Sequence, residues 1–310
     1  MFISRLLQVI EKYDPFGENR INGFKAMYLF ILLCLFYFFF NITKPYFYYF
    51  YVPITAFSAE LLGITLKKKY QYLIIAIFGS AISIYIFNIL LPLREFFIVF
   101  VFFYSIGLYY FVLHTNRHLR TIVAIVLSLA AYSLLYSANN NYNYINALNY
   151  FVYSMAAGLI MVVGLLLLPK KCYFYNWRKA FIFTLLDLDA IAESIFLDNK
   201  NPPSSLGIMM MQKYSNMISK KDNFFSVAKI TLLTFDLVMY QSYLLAFKKN
   251  IPIEYVQIYR RYLKLLQAAC RLKKPLFLKN KENLELSHTH ELRMIKKVIQ
   301  SWNYLCLLKS

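Results

Sequence analysis

Long apolar runs separated by short polar turns fill the first part of the chain, and spaced apolar positions take over in the rest. About 18 apolar residues cross a roughly 30 Å hydrocarbon layer as a helix. Six runs reach or approach that length, near 25–43, 46–66, 71–92, 96–113, 121–137 and 149–168. Lipid offers no partner to an open backbone group, so the runs predict helices. They are continuous rather than alternating, which excludes a membrane β-barrel. Beyond Pro169 the rhythm changes. Apolar residues at 181, 185, 188, 191, 192, 195 and 196 follow the i, i+3, i+4 spacing of an amphipathic helix over 176–196. The Asn-Lys-Asn-Pro-Pro-Ser-Ser stretch at 199–205 ends it. Further helices are predicted near 206–220, 223–248, 252–273 and 284–308. Their apolar faces suit a packed bundle. The expected fold is an all-α membrane protein: six transmembrane helices followed by a cytoplasmic helical domain.

Composition sharpens the boundary. Charged residues are 16% of the chain, against roughly 25% in soluble domains. Residues 1–169 hold 11 Lys/Arg and 5 Asp/Glu, while 170–310 hold 23 and 10. The domains predicted are a cytoplasmic amphipathic segment 1–22, broken at Asp14-Pro15-Phe16-Gly17, a membrane domain 23–169 and a basic domain 170–310. The first twenty residues are mixed in character and do not read as a signal peptide.

Lys and Arg in the short loops set orientation. Arg5, Lys12, Arg20 and Lys25 precede or open the first span. Lys44 follows, then Lys67, Lys68 and Lys69, then Arg94, then Arg117 and Arg120. The loop at 137–147 has none, and Lys170, Lys171, Arg178 and Lys179 follow the last span. One side thus carries 13 and the other 2. Both termini are expected in the cytoplasm. The lysine triplet then forms a basic cluster at the cytoplasmic mouth, close to anionic headgroups. The basic excess of the tail points to the inner leaflet or to solvated surface. No nucleic-acid module accompanies it, so no nucleic-acid partner is expected.

Few residues carry candidate chemistry. Glu60 is the carboxylate well inside a span, seven residues before the triplet, or roughly 10 Å along a helix. A charge at the bilayer centre costs about 2.5 kcal/mol or more. Glu60 is therefore a proton-coupling or substrate-path group, or a carboxylate that is neutral or paired with a lysine. Lys44 and Arg94 stand near the outer face, where they can draw an anion or cap a loop; Arg94 and Glu95 can form a local ion pair. Tyr104 can stack on an aromatic substrate beside Ser105. Span serines such as Ser80, Ser83, Ser133 and Ser154 favour close helix packing. Tyrosines including Tyr144 and Tyr150 suit an outer aromatic belt. Cys34, Cys172, Cys270 and Cys306 lack CxxC spacing and read as reduced thiols. His114 and His118 are four apart, but Arg117 and Arg120 beside them oppose a cation, and no metal site is expected. His288 and His290 read as solvated. There is no nucleophile motif, Walker loop or GxGxxG, so neither enzyme nor cofactor is expected.

The stretch GITLKKKYQYLIIAIFGSAIS resembles the second and third spans of the fusaric acid resistance (FUSC) and aromatic acid exporter superfamily. Gly63, Thr65, Lys67, Lys68, Lys69, Gly79 and Ala81 carry the likeness. The sixth span, with Gly158, Pro169 and Lys170, also resembles the family pattern. An arginine common before the third-span glycine is absent, with Gln71 and Tyr72 in that stretch. Many members carry two such units per chain and this sequence holds one, so a homodimer would complete the pair. The resemblance implies an inner-membrane exporter of small hydrophobic or aromatic carboxylates, with Glu60 as coupling group and Lys44 and Arg94 at the outer mouth. Candidate partners are membrane lipid, the organic anion, a second copy and a periplasmic adaptor protein. The plant malate channels resemble the same half-unit, which keeps a passive anion channel open. A membrane scaffold with a basic tail is the third reading.

Overall fold

The computed structural model describes residues 13–40, 65–115, 120–137, 144–168, 171–197, 206–218, 224–246, 252–279, 282, 285–286 and 289–307. Among these residues there are ten helices and no strand. The chain divides into two compact units, Met1–Pro169 and Lys170–Ser310.

In the first unit the helices are α1 (Glu18–Phe40), α2 (Leu66–Leu90), α3 (Arg94–Thr115), α4 (Arg120–Ser137) and α5 (Tyr144–Leu167). The first begins earlier than the apolar pattern suggests. Asp14 explains this: its carboxylate accepts the Arg20 backbone N–H at 3.1 Å. Gly17, at φ +72°, turns the chain as only glycine does without strain. Residues 18–22, expected in the cytoplasmic segment, are thus the first turn of the first long helix.

α2 is central and packs along α4 and α5, while α1 lies on α5 and α3 on α4. Leu73, Ala76, Ile77, Ile84 and Phe87 of α2 meet Leu129 and Ala130 of α4 and Ala157 and Met161 of α5 in one core. Small residues let the backbones close up. A Cβ on Gly158 would stand 3.0 Å from Ile77 Cγ1, and one on Gly164 would stand 2.6 Å from Leu29 Cδ2. α3 turns outward almost entirely, with Ile98, Phe102, Phe103 and Phe111 exposed. Such a surface suits lipid rather than water.

Among the described residues, five helices are long and apolar enough to cross a membrane. Four are α1, α2, α3 and α5, at expected spans. α4 is helical where a span is expected, but its apolar stretch is only Ile122–Leu134, roughly 20 Å of helix. The expected span 46–66 lies outside the described residues but for its last two. The fifth long apolar helix lies in the second unit, at Phe224–Ser242, where the periodicity suggests a bundle helix.

The second unit comprises α6 (Lys171–Leu197), α7 (Leu206–Met217), α8 (Phe224–Ala246), α9 (Ile253–Leu272) and α10 (His290–Leu307). α6 packs against α7, α8 and α9, and α10 closes against α8 and α9. An aromatic column ties them together. Trp177 stacks between Phe174 and Phe181, and Phe181 meets Trp302 at 6.1 Å. Trp177 Nε1 donates to Thr231 Oγ1 on α8 at 2.9 Å. Trp302 Nε1 donates to the Lys274 carbonyl at 3.0 Å, beyond α9. After Pro275 the chain docks on α10 through Asn303, whose side chain bonds both the N–H and the C=O of Leu276 at 2.7 Å. The last helix starts at 290 rather than 284, because Thr289 caps it by accepting the Leu292 N–H at 3.3 Å.

Candidate functional site

Thr65 caps α2 by accepting the Lys68 N–H at 3.3 Å. The helix therefore starts inside the basic triplet, and each lysine is turned about 100° from the last. Lys67 and Lys68 are exposed, but Lys69 is only 4% exposed. The three do not form one cytoplasmic-mouth cluster: the third turns into the unit. Lys25 of α1 is buried as well. Leu29, one turn beyond Lys25, meets Gly164 of α5, and Tyr70, next to Lys69, donates to the Leu165 carbonyl at 3.3 Å. Both cations thus stand close to where their helices meet the C-terminal end of α5, whose negative dipole favours them.

Further along, α2 carries a polar seam. Ser80 bonds back to the Ile77 carbonyl at 3.0 Å and Ser83 to Gly79 at 2.8 Å. The Ser83 hydroxyl also meets the Tyr104 hydroxyl of α3. With the Ser83 proton on the Gly79 carbonyl, Tyr104 is the donor. Asn88 Nδ2 donates to the Ile84 carbonyl at 2.8 Å and to Ser133 Oγ of α4 at 2.9 Å. Ser154 of α5, buried, bonds its own Tyr150 carbonyl at 2.7 Å. Hydroxyl and amide groups therefore occupy the interior of four helices. In hydrocarbon such groups either hold helices together or line a path.

The expected residues fall as follows. The Tyr104 ring is flanked by Phe87 at 5.6 Å, edge-on, and by Phe100 at 5.4 Å, stacked, so its substrate-stacking role competes with side chains already present. Ser105 is one residue round the helix and bonds the Val101 carbonyl at 2.7 Å; it does not join the seam. Arg94 and Glu95 are both exposed at the start of α3 and form no ion pair with each other, since neighbours in a helix do not face one another. Tyr150, expected in the outer belt, is buried, whereas Tyr144 is exposed and accepts from Tyr85 OH at 3.0 Å. Gly79 has ordinary space toward Val126 and Gly158 has none toward Ile77. His114 is exposed and stacks on Tyr110 at 6.3 Å; His118 and His288 lie outside the described residues. Glu60, Lys44, Gly63 and Pro169 also lie outside them. Asn88 was not singled out from the sequence. Its signal was present: an amide amid the apolar run IYIFNILL.

In the second unit the charges organise around Asp189 of α6. Arg260 Nε meets Asp189 Oδ1 at 2.7 Å and Arg260 reaches Glu193 at 3.2 Å, while Lys264 stands 3.8 Å from Asp189. The hydrogen bond to Asp189 is the main cause that pushes the Arg260 pKa up. An open groove of about 480 Å³ follows Gln257, Arg260, Arg261, Lys264 and Leu265 on one face of α9. Arg261 is held by Glu282 at 3.4 Å. Burial pushes the Asp187 carboxyl up to about 6 and holds the Cys270 thiol well above its usual range. Cys34, Cys172, Cys270 and Cys306 are reduced thiols. Among the described residues no three His, Cys, Asp or Glu side chains gather as a metal site. No family model, curated protein or solved structure matches the chain.

Proposed function

We propose that the chain is a multi-pass inner-membrane transporter that exports small hydrophobic or aromatic carboxylates as a homodimer, with both termini in the cytosol. The observation that carries this reading is the polar seam in which buried Ser80, Ser83 and Asn88 of α2, a helix apolar enough to span a bilayer, meet Tyr104 of α3 and Ser133 of α4. Hydroxyl and amide N–H groups of this kind donate to a carboxylate, which only accepts, without fixing it as a lysine would. The asymmetric distribution of Lys and Arg supports the orientation. The resemblance to the aromatic acid exporters supports the substrate class.

One observation favours a second reading, a passive anion channel. Residues 25–43, 66–90, 96–115, 120–137 and 144–167 contain no Asp or Glu. Proton coupling within the spans thus falls on Glu60 or is absent. Proteoliposomes holding the full chain and radiolabelled benzoate decide the matter. Protein-dependent flux accelerated by a proton gradient, and slowed in Glu60→Gln, supports the exporter. A pH-independent anion current supports the channel. No flux and no current, in protein shown to be folded, refutes both and leaves the scaffold.

A further inference from the structure

The outer face of α8 has a pattern that its inner face does not need. Val227, Ile230, Thr231, Thr234, Leu237 and Gln241 are buried within the second unit. On the other side run Phe225, Lys229, Leu232, Asp236 and Met239, all exposed. Their spacing of four, three, four and three residues makes one stripe along the helix. The three apolar members are seven apart, and Phe225 is 73%, Leu232 63% and Met239 56% exposed. Lys229 and Asp236 stand on either side of Leu232 with opposite charge. They are about 10.5 Å apart along the axis, too far to pair within the helix. Neither forms an ion pair among the described residues.

We infer that this stripe is a self-complementary seam on which a second copy of the chain docks antiparallel, with the twofold axis close to Leu232. The inference rests on the homodimer reading above and specifies its surface. Turned end for end about Leu232, a second α8 sets Met239 against Phe225 and Asp236 beside Lys229, twice over by symmetry. A parallel pairing would set lysine against lysine and aspartate against aspartate, which repels. Charge order therefore selects the antiparallel arrangement, as flanking charges do in helix pairs. α8 is also long and apolar enough to cross a bilayer. That placement would put Lys229 and Asp236 of the same stripe in hydrocarbon, where charges are costly.

The test uses the full chain in membranes and in mild detergent. Leu232→Cys, in a background with Cys34, Cys172 and Cys306 replaced by serine, should cross-link to a dimer with a short bis-maleimide; Leu265→Cys should not. Lys229→Glu and Asp236→Lys should each weaken self-association roughly tenfold, by replacing two surface attractions with two repulsions. Mixing the two variants should restore a heterodimer, because their charges again complement one another. Three results would overturn the proposal. A chain that stays dimeric with no cross-link at 232, and with no response to charge reversal, dimerises elsewhere. A chain that is monomeric in both media removes the homodimer reading together with this seam. Labelling of the Leu232→Cys variant at its new thiol by a membrane-confined photoreactive lipid places the face against lipid instead.

Discussion

Replacing Gly158 by alanine puts a methyl group where Ile77 already stands. The new Cβ would lie 3.0 Å from Ile77 Cγ1 and 3.2 Å from Ile77 Cβ, and closer still to Cγ2. Carbon atoms at rest sit about 3.5–4.0 Å apart. Rotating Ile77 about χ1 moves its two γ carbons but leaves its Cβ fixed by the backbone. Relief therefore requires α2 and α5 to separate by a few tenths of an ångström along the most intimate crossing of the first unit. Overpacking of this kind costs about 1–3 kcal/mol, partly offset by up to about 1 kcal/mol from the better helix former. The expected net loss is about 1–2 kcal/mol. Ile77→Ala removes the obstructing carbons at its own cost of about 2–5 kcal/mol. In the double variant the clash is gone and the new methyl enters the vacated space. It should be no less stable than Ile77→Ala alone, giving a favourable coupling of about 1–3 kcal/mol. The assay is loss of helical circular dichroism as the full chain is titrated from mild detergent into SDS. Strict additivity, or a Gly158→Ala variant as stable as the parent, would refute the crossing of 77 on 158.

Other expectations follow from single contacts. Asn88→Leu with Ser133→Ala deletes the α2–α4 hydrogen bond and should cost about 0.6–2 kcal/mol in the same titration. Thr231→Val leaves Trp177 Nε1 buried without its acceptor and should lower the thermal midpoint by the equivalent of about 1–3 kcal/mol. Asp187, raised to about 6 in the folded chain against about 3.9 unfolded, binds more protons folded than unfolded between those values. Stability should therefore fall as pH rises from about 4 to about 6, by about 1 kcal/mol after solvent screening, and Asp187→Asn should flatten that limb. A reporter fused after Ser310 should be found in the cytosol; a periplasmic signal would reverse the orientation drawn from Lys and Arg.

The helices of both units were legible because length and apolar period report directly on what a helix must bury. Their contacts were less so. Three lysines in succession look like one patch on paper, but a helix spreads them over about 200°. With α2 packed on two sides, one of the three had to face inward, and only the neighbours decide that it is Lys69. Gly158 announced a close approach through its small neighbours in SMAAG, yet its partner Ile77 stands 81 residues away in the chain. The start of α6 at Lys171 was missed because the hydrophobic rhythm begins later than the backbone does. Tyr104 and Ser105 looked equivalent as sequence, and one residue of rotation set their hydroxyls on different partners.

The chain holds two tryptophans, Trp177 and Trp302, and the aromatic column buries both in the core of the second unit. Indole emission excited at the red edge therefore watches that unit alone, while the first contributes only tyrosine and phenylalanine. The protein carries an internal optical probe that separates melting of its two halves without any attached dye. A sample whose emission stays blue while its ellipticity falls has lost the first unit and kept the second.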